Sequence, residues 1–175
     1  AALASDCVLD AMDVMEEGVS EMTIADRLNR FGQRNSVVTI AASGPRFVKA
    51  NLYPTDNTVK VVDTISLTTG YRGGLSSRAG YAVHSREEMP GGTEDYLERV
   101  AAPYFNSYAH WLSALRVGME GGELYALVEK TLPQSEFHWG LCPGHLTAEE
   151  EWRCSPIRRG SKEILRSGMI LQIDI

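Results

Sequence analysis

The sequence predicts an α+β fold in which a helix pair followed by strands occurs twice. Helical periodicity in each half of the chain is followed by runs rich in β-branched residues. Residues 63–70 and 169–175 are two matching strand-like segments, and the first helix pair resembles a second one 100 positions further on. That offset is too long for a solenoid repeat. We therefore predict a single domain, residues 1–175, with pseudo-repeat halves of about 1–90 and 91–175.

The helix pairs match at three aligned positions. In each copy a long helix ends at or beside a glycine, and a shorter helix follows before the strands. Chance similarity between two amphipathic helices is the competing interpretation. The aligned residues are Gly18, Ile24 and Leu28 in the first copy, and Gly118, Leu124 and Val128 in the second.

Periodicity and turn residues place the individual elements. In the first half, an apolar stripe predicts the first helix, and a segment resembling a capping box at Thr23 predicts the start of the next. In the second half, Thr93 is expected to cap a long helix. The predicted stripe consists of Leu3, Val8, Met12 and Met15. The predicted helices are 3–17, 23–31, 93–117 and 120–132, and the predicted strands are 36–42, 58–69, 75–83, 136–142 and 169–175.

Composition excludes several classes of protein. The chain is 43% hydrophobic and 23% charged, as expected for a globular protein, and its net charge of −6 argues against nucleic acid as a partner. No apolar run reaches the roughly 18 residues of a membrane span, so no membrane is expected as a partner. The three widely spaced cysteines, Cys7, Cys142 and Cys154, form no disulfide or zinc pattern, which predicts reduced thiols in the cytoplasm. Because Ile175 lies within a strand pattern, we expect the domain to be C-terminally incomplete.

Six short motifs, in the right order, resemble those of one superfamily. The family patterns are G-x-T-E-x-E-I-A, P-T-D-R, G-D-x-V-x-x-D-x-G, Y-x-G-Y-x-S-D, G-H-G-x-G and G-M-V-L-T-I-E. The matching segments are Gly18 with 23–28, then 54–56, 63–70, 71–77, 144–145 and 168–174. The chain thus resembles the superfamily of creatinase, aminopeptidase P and methionine aminopeptidase, and within it the Xaa-Pro peptidases. The resemblance implies a pita-bread fold, with duplicated α/β halves around a curved antiparallel sheet, and a homodimer.

The resemblance also implies a chemistry for the site. Family peptidases use two aspartates, one histidine and two glutamates to hold two divalent ions, such as manganese, zinc or cobalt. The ions lower the pKa of a bridging water and polarise the scissile carbonyl group. In this chain Thr68 and Ser77 occupy the two aspartate positions, and Asp174 occupies the first glutamate position. The second glutamate position lies beyond Ile175. A neutral hydroxyl offers no charge against two dications, so we expect an altered or absent metal site, and a divalent metal is implied as cofactor by the resemblance only.

Two alignments with the family motif are open for the metal or catalytic histidine. In the preferred one, His145 is the metal or catalytic histidine, because it keeps the glycine of the motif, and Trp152 replaces the second family histidine. In the other, His138 takes the first role and His145 the second. With Asp174, His145 would form the remaining acid/base pair.

Other polar residues are weaker candidates. The run 149–151 is acidic and has the character of an exposed charged segment. Asn51 lies near the place where many family peptidases carry a substrate-binding histidine. Arg158 and Arg159 could pair with a substrate carboxylate, although a solvated basic turn is the simpler interpretation.

Three functions follow. The first is a hydrolase with an altered or absent metal site that cleaves a C–N bond in a small peptide or amide. The resemblance to creatinase implies that some members of the superfamily do so without metal. The second is a metal-dependent Xaa-Pro peptidase whose site is hard to recognise. The third is an inactive module that binds a peptide or protein partner without cleaving it. A fold hosts more than one function, so the resemblance alone does not choose among them.

Overall fold

The computed structural model describes residues 1–147 and 154–175, which divide into two compact units, Ala1–Glu94 and Asp95–Ile175. No helix among the described residues is both long enough and apolar enough to cross a membrane. In the first unit the elements are α1 (Ala2–Asp13), α2 (Glu21–Leu28), β1 (Ile40–Ser43), α3 (Pro45–Val48), β2 (Thr64–Tyr71), β3 (Gly74–Tyr81) and a 3₁₀ turn (Arg86–Glu88). In the second they are a π-helical turn (Leu97–Ala101), α4 (Ala102–Ala114), α5 (Gly121–Thr131), α6 (Gln134–Phe137), β4 (Cys142–Leu146) and β5 (Leu171–Asp174).

In the first unit, α1 and α2 pack on one face of a three-stranded antiparallel sheet ordered β1-β2-β3. Alternate residues of β2 therefore point to opposite faces. Ile65 and Leu67 join the helices in the core, whereas Thr64, Ser66 and Thr68 point to the other face. The core side consists of Val8, Ala11, Ile24, Ala25, Leu28, Ala41, Val59, Ile65 and Leu67.

In the second unit, β4 and β5 pair antiparallel, and the helices bury their apolar residues with Ile157 and Ile173 in a separate core. Trp111 of α4 is 3% exposed, and its indole N–H donates to the carbonyl oxygen of Pro143 over 2.7 Å, which fixes α4 against β4. A Cβ on Gly144 would collide with Ile157, so the strand approaches the core closely at this glycine. β4 thus presents one side to the core and one side away from it.

The same backbone pattern joins the helix pair to its following strand segment in both units. The N–H of Gly18 donates to Val59, and the N–H of Gly118 donates to Leu165, each over 2.8 Å. Both glycines have a positive φ, 85° and 91°, which L side chains rarely adopt. A second hydrogen bond runs in the other direction in each unit. The N–H of Val59 donates to the Val19 carbonyl, and the N–H of Leu165 donates to the Met119 carbonyl, each over 2.9 Å.

The structure confirms the α+β class and the β2–β3 hairpin, and corrects several predicted elements. The predicted strand at 136–142 is wrong. Residues 134–137 form α6 and the strand begins at Cys142, because Trp139 is buried and donates to the carbonyl oxygen of Leu132. The cap of α2 is Ser20 rather than Thr23, since the Ser20 hydroxyl accepts the N–H of Thr23 over 3.1 Å.

The predicted helix ends also change. The first helix ends at Asp13 and buries mainly small residues, Ala4, Cys7, Val8 and Ala11, whereas Met12 of the predicted stripe is 40% exposed. α2 ends at Leu28, three residues before Phe31. The predicted helix at 93–117 begins later, because Thr93 lies in a turn in which its N–H and hydroxyl donate to Pro90.

Candidate functional site

The first unit contributes a face of hydroxyl groups. Thr68 on β2 lies directly opposite Ser77 on β3, so both side chains share the sheet face that points away from α1 and α2. Thr64 and Ser66 precede Thr68 on the same face. These four side chains are neutral, so this face offers oxygen atoms but no negative charge.

The second unit contributes an imidazole and a carboxylate. His145 on β4 lies opposite Gln172 on β5, and Thr147 lies opposite Ile170, because the Thr147 N–H donates to the Ile170 carbonyl over 3.0 Å. Asp174 follows Gln172 by two residues and therefore shares its face. Leu171 and Ile173 point instead to the core, so the face with His145 points away from the helices of this unit.

His145 and Asp174 are in contact on this face. The distance from His145 Nε2 to Asp174 Oδ2 is 3.5 Å. The His145 side chain is 1% exposed and that of Asp174 is 17% exposed, so the carboxylate is the more accessible member of the pair.

The hydrogen bonds of His145 indicate where its ring carries hydrogen. Nδ1 lies 3.0 Å from the carbonyl oxygen of Leu146. A carbonyl oxygen only accepts, so Nδ1 must be the donor, and this assignment rests on the partner atom. Nε2 is then the nitrogen that faces Asp174, and a hydrogen on Nε2 gives an imidazolium beside a carboxylate.

The remaining predicted site residues that the structure describes are exposed. His138 is exposed at the end of α6, with a positive φ of 53° and its N–H bonded to Gln134. Asn51 is exposed. Arg158 bonds Glu163 over 2.6 Å, and Arg159 lies 3.5 Å from Glu129. The acidic run 149–151 and Trp152 fall outside the described residues.

The donor chemistry of the described residues does not fit a pair of divalent ions. No group of three or more histidine, cysteine, aspartate or glutamate side chains positioned for a metal ion occurs in residues 1–147 and 154–175. Thr68 and Ser77, which the sequence resemblance aligns with the two aspartate positions of the family, lie opposite each other and carry hydroxyls that add no charge to balance two dications. We therefore derive no chemical step through metal ions.

Sequence reasoning missed the buried carboxylate of Glu21, which is 1% exposed. Burial raises the pKa of this carboxyl, but hydrogen bonds from Ser43, Thr55 and Asn57 to its charged form outweigh burial and hold the pKa below its usual value. One signal was available, because Glu21 precedes the buried Ile24 by three residues on the same face of α2. Its donors belong to Ser43, Arg46, Thr55 and Asn57.

Sequence reasoning also missed Thr147 and Gln172, which lie beside His145 on the same strand face. Thr147 is 6% exposed, and its Oγ1 has no hydrogen-bond partner among the described residues. The alternation of side chains along β4 would have placed it next to His145, two positions away, had the strand been predicted at 142–146.

Comparison with known proteins identifies the family. The model of metallopeptidase family M24 matches residues 1–175, so the chain belongs to this family. The comparison with curated proteins found no significant match.

Solved structures show the same fold. The Xaa-Pro dipeptidase of Bacillus anthracis matches with a TM-score of 0.77 at 20% identity, over 98% of this chain and 49% of that chain. The prolidase of Pyrococcus furiosus matches with 0.76 at 20% identity, over 98% and 52%. The X-Pro aminopeptidase of Thermotoga maritima matches with 0.68 at 18% identity, over 94% and 48%.

These matches confirm the pita-bread fold and the predicted superfamily. The chain spans about half the length of the solved structures that it matches. At this level of identity, the likeness establishes the fold and leaves the chemistry to the residues of this chain.

Proposed function

We propose that this protein hydrolyses the C–N bond of a small peptide or amide, using His145 and Asp174 and no pair of metal ions. Membership of the M24 family supports a hydrolytic ancestry. The single observation that carries the proposal is the contact of 3.5 Å between His145 Nε2 and Asp174 Oδ2, because it sets an imidazole beside a partly accessible carboxylate.

In the proposed reaction, Asp174 is the group that touches the reacting atoms. A water oxygen attacks the carbonyl carbon while Asp174 takes one of the water protons. The tetrahedral adduct then collapses, the C–N bond breaks, and the proton passes from Asp174 to the leaving nitrogen. His145 is a positioning residue, since its Nδ1 is held by the Leu146 carbonyl and its Nε2 faces the carboxylate.

The substrate class is proposed from the relatives. Solved structures that match this chain are an Xaa-Pro dipeptidase, prolidases and an X-Pro aminopeptidase. We therefore propose Xaa-Pro dipeptides as the first substrates to test, and simple amides or guanidino compounds as the second. A cytoplasmic homodimer remains our prediction for the state of the protein.

The test is a hydrolysis assay on alanylproline and a panel of amides, with and without a metal chelator. Asp174→Asn should lower kcat by at least about 100-fold, because it removes the proton acceptor. His138→Asn is the matched control, since His138 is an exposed histidine of the same unit and asparagine tolerates its positive φ. Activity that persists in Asp174→Asn but is lost in His138→Asn would contradict the proposal.

A second candidate function is a module that binds a peptide or protein partner without cleaving it. The observation that favours it is the pairing of Thr68 with Ser77, which gives the first unit a neutral hydroxyl face. Hydroxyl groups can hydrogen-bond a peptide backbone without activating water. Binding of alanylproline with no hydrolysis at high protein concentration would favour this candidate.

A further inference from the structure

We propose that the hydroxyl of Thr147 binds the carbonyl oxygen of the ligand, beside the pair formed by His145 and Asp174. The inference rests on the proposed function for the identity of the ligand, an amide or peptide bond. It adds a specificity-determining residue at a position that the family motif G-H-G-x-G leaves unspecified.

The first step is the state of the hydroxyl itself. Thr147 is 6% exposed, and its Oγ1 is buried with no hydrogen-bond partner among residues 1–147 and 154–175. Two other threonine hydroxyls of the chain have acceptors, whereas Thr64 Oγ1 in the first unit is likewise buried without a partner among the described residues. Thr69 donates to the Leu28 carbonyl over 2.9 Å, and Thr131 donates to the Leu127 carbonyl over 3.0 Å. Since buried polar groups are normally hydrogen-bonded, Thr147 is an exception that calls for a partner.

The second step is its location. Thr147 is two residues from His145 along the strand direction, so both side chains share one face, about 7 Å apart along the strand. Asp174 lies on the same face and is 17% exposed, which connects the face to solvent. Gln172 lies between them, but its side-chain amide already donates to the Ile173 carbonyl over 3.2 Å. The Thr147 hydroxyl is a buried donor of this face that makes no hydrogen bond among the described residues.

The third step is the chemistry of the ligand. The nitrogen of a bond to proline carries no hydrogen, so the carbonyl oxygen is the hydrogen-bonding group of that bond. Negative charge develops on this oxygen when water attacks the carbonyl carbon, and a donor placed there stabilises the transition state. The carboxylate of Asp174 cannot donate, whereas the hydroxyl of Thr147 can.

The experiment compares alanylproline with its thioamide, in which sulfur replaces the carbonyl oxygen and accepts hydrogen bonds weakly. Affinity is measured by calorimetry and kcat by hydrolysis, on the wild type, Thr147→Val and Thr147→Ser. The wild type should prefer the oxygen compound, whereas Thr147→Val should bind both alike, with about tenfold weaker affinity for the oxygen compound. Where hydrolysis occurs, kcat for the oxygen compound should fall about 100-fold in Thr147→Val. Thr147→Ser should retain the preference.

Thermal stability gives a readout that needs no ligand. Valine has the shape of threonine without the hydroxyl, so Thr147→Val should leave Tm unchanged or raise it by a few degrees, because a buried polar group without a partner is removed. Thr131→Val is the matched control from the same unit and should lower Tm, since it removes hydrogen bonds to Leu127 and Ser107. A clear drop of Tm in Thr147→Val would show an internal partner and overturn the inference.

The outcomes separate this inference from the proposed function. Binding with the oxygen preference, but without hydrolysis, would support the role of Thr147 and reject the proposed hydrolase. Hydrolysis with an equal preference in the wild type and Thr147→Val would overturn the role of Thr147 alone. A wild type that neither binds nor cleaves either compound would overturn both.

Discussion

The two units share the backbone hydrogen bonds between the helix pair and the following strand segment, but they stabilise this pattern differently at one equivalent position. In the first unit this position is Glu21, whose buried carboxylate accepts six hydrogen bonds and whose N–H donates to Asn57. In the second unit it is Gly121, whose N–H makes the matching bond to Glu163 over 2.9 Å. A Cβ on Gly121 would collide with the Pro156 carbonyl oxygen. The comparison shows that one backbone pattern can be held by a charged side chain or by close backbone contact.

The faces that carry the candidate chemistry differ in the opposite sense, because here the second unit carries the ionisable groups. The first unit offers the neutral hydroxyls of Thr68 and Ser77, and the second offers the ionisable pair of His145 and Asp174. Each unit thus concentrates its charge in a different place. The first unit keeps a carboxylate inside its core as a structural group, and the second keeps one at a partly exposed strand face.

The largest expected effect is that of Glu21→Ala. The change leaves buried donors of Ser43, Thr55 and Asn57 without their acceptor, which should cost about 3–5 kcal/mol of the free energy of unfolding. Urea unfolding of the wild type and the variant at neutral pH measures this. A loss below about 1 kcal/mol would show that the network does not hold the first unit together.

Gly121→Ala should have the next largest effect. The added methyl group would collide with a backbone carbonyl, which cannot move away as a flexible side chain can. We therefore expect the free energy of unfolding to fall by about 1–3 kcal/mol. Gly140→Ala is the matched control, because nothing lies within 4 Å of its Cβ position. Equal stability of the two variants in urea unfolding would break the comparison between the units.

The pH dependence of stability should change in Glu21→Gln. The pKa of Glu21 is lower in the folded state than in the unfolded state, so its contribution is present above the unfolded pKa and is lost as pH falls through the folded pKa. The wild type should therefore lose more stability than the variant between neutral pH and acid. Unfolding curves recorded at several pH values below about 5 measure the difference. Parallel pH profiles would contradict the role of Glu21.

The smallest expected effect is that of Asp10→Asn. Asp10 pairs with Arg30 at the surface of the first unit, where their side chains are 45% and 36% exposed. Solvent weakens such a pair, so the loss should stay below about 1 kcal/mol. A loss as large as that of Glu21→Ala would show that burial does not distinguish the two carboxylates.

The sequence predicted the fold better than it predicted the contacts of the site. Thr68 and Ser77 could be placed opposite each other because the hairpin carries alternating residues and glycines at its turn. The strand that bears His145 was predicted several residues too early, because proline and glycine at 143 and 144 have low strand propensity. Its position is decided by tertiary contacts of Pro143 with Trp111 and of Gly144 with Ile157.

The partners of Glu21 could not be predicted from local patterns. Its donors come from residues that lie 22 to 36 positions further along the chain. Helical periodicity marks the position as buried but does not reveal which polar groups meet there. The cap of α2 was misplaced for a related reason, because two hydroxyl residues, Ser20 and Thr23, both suit a cap and hydrogen-bond each other over 3.0 Å.

Metal content tests most directly the claim that the described residues lack the negative charge to hold two divalent ions. The protein is dialysed against excess manganese, zinc or cobalt, freed of unbound metal, and measured by elemental analysis. Because the described residues bring no three acidic, histidine or cysteine side chains together, and the face of Thr68 and Ser77 is neutral, we predict that no stoichiometric pair of ions remains bound. Two tightly held ions per chain would contradict the account.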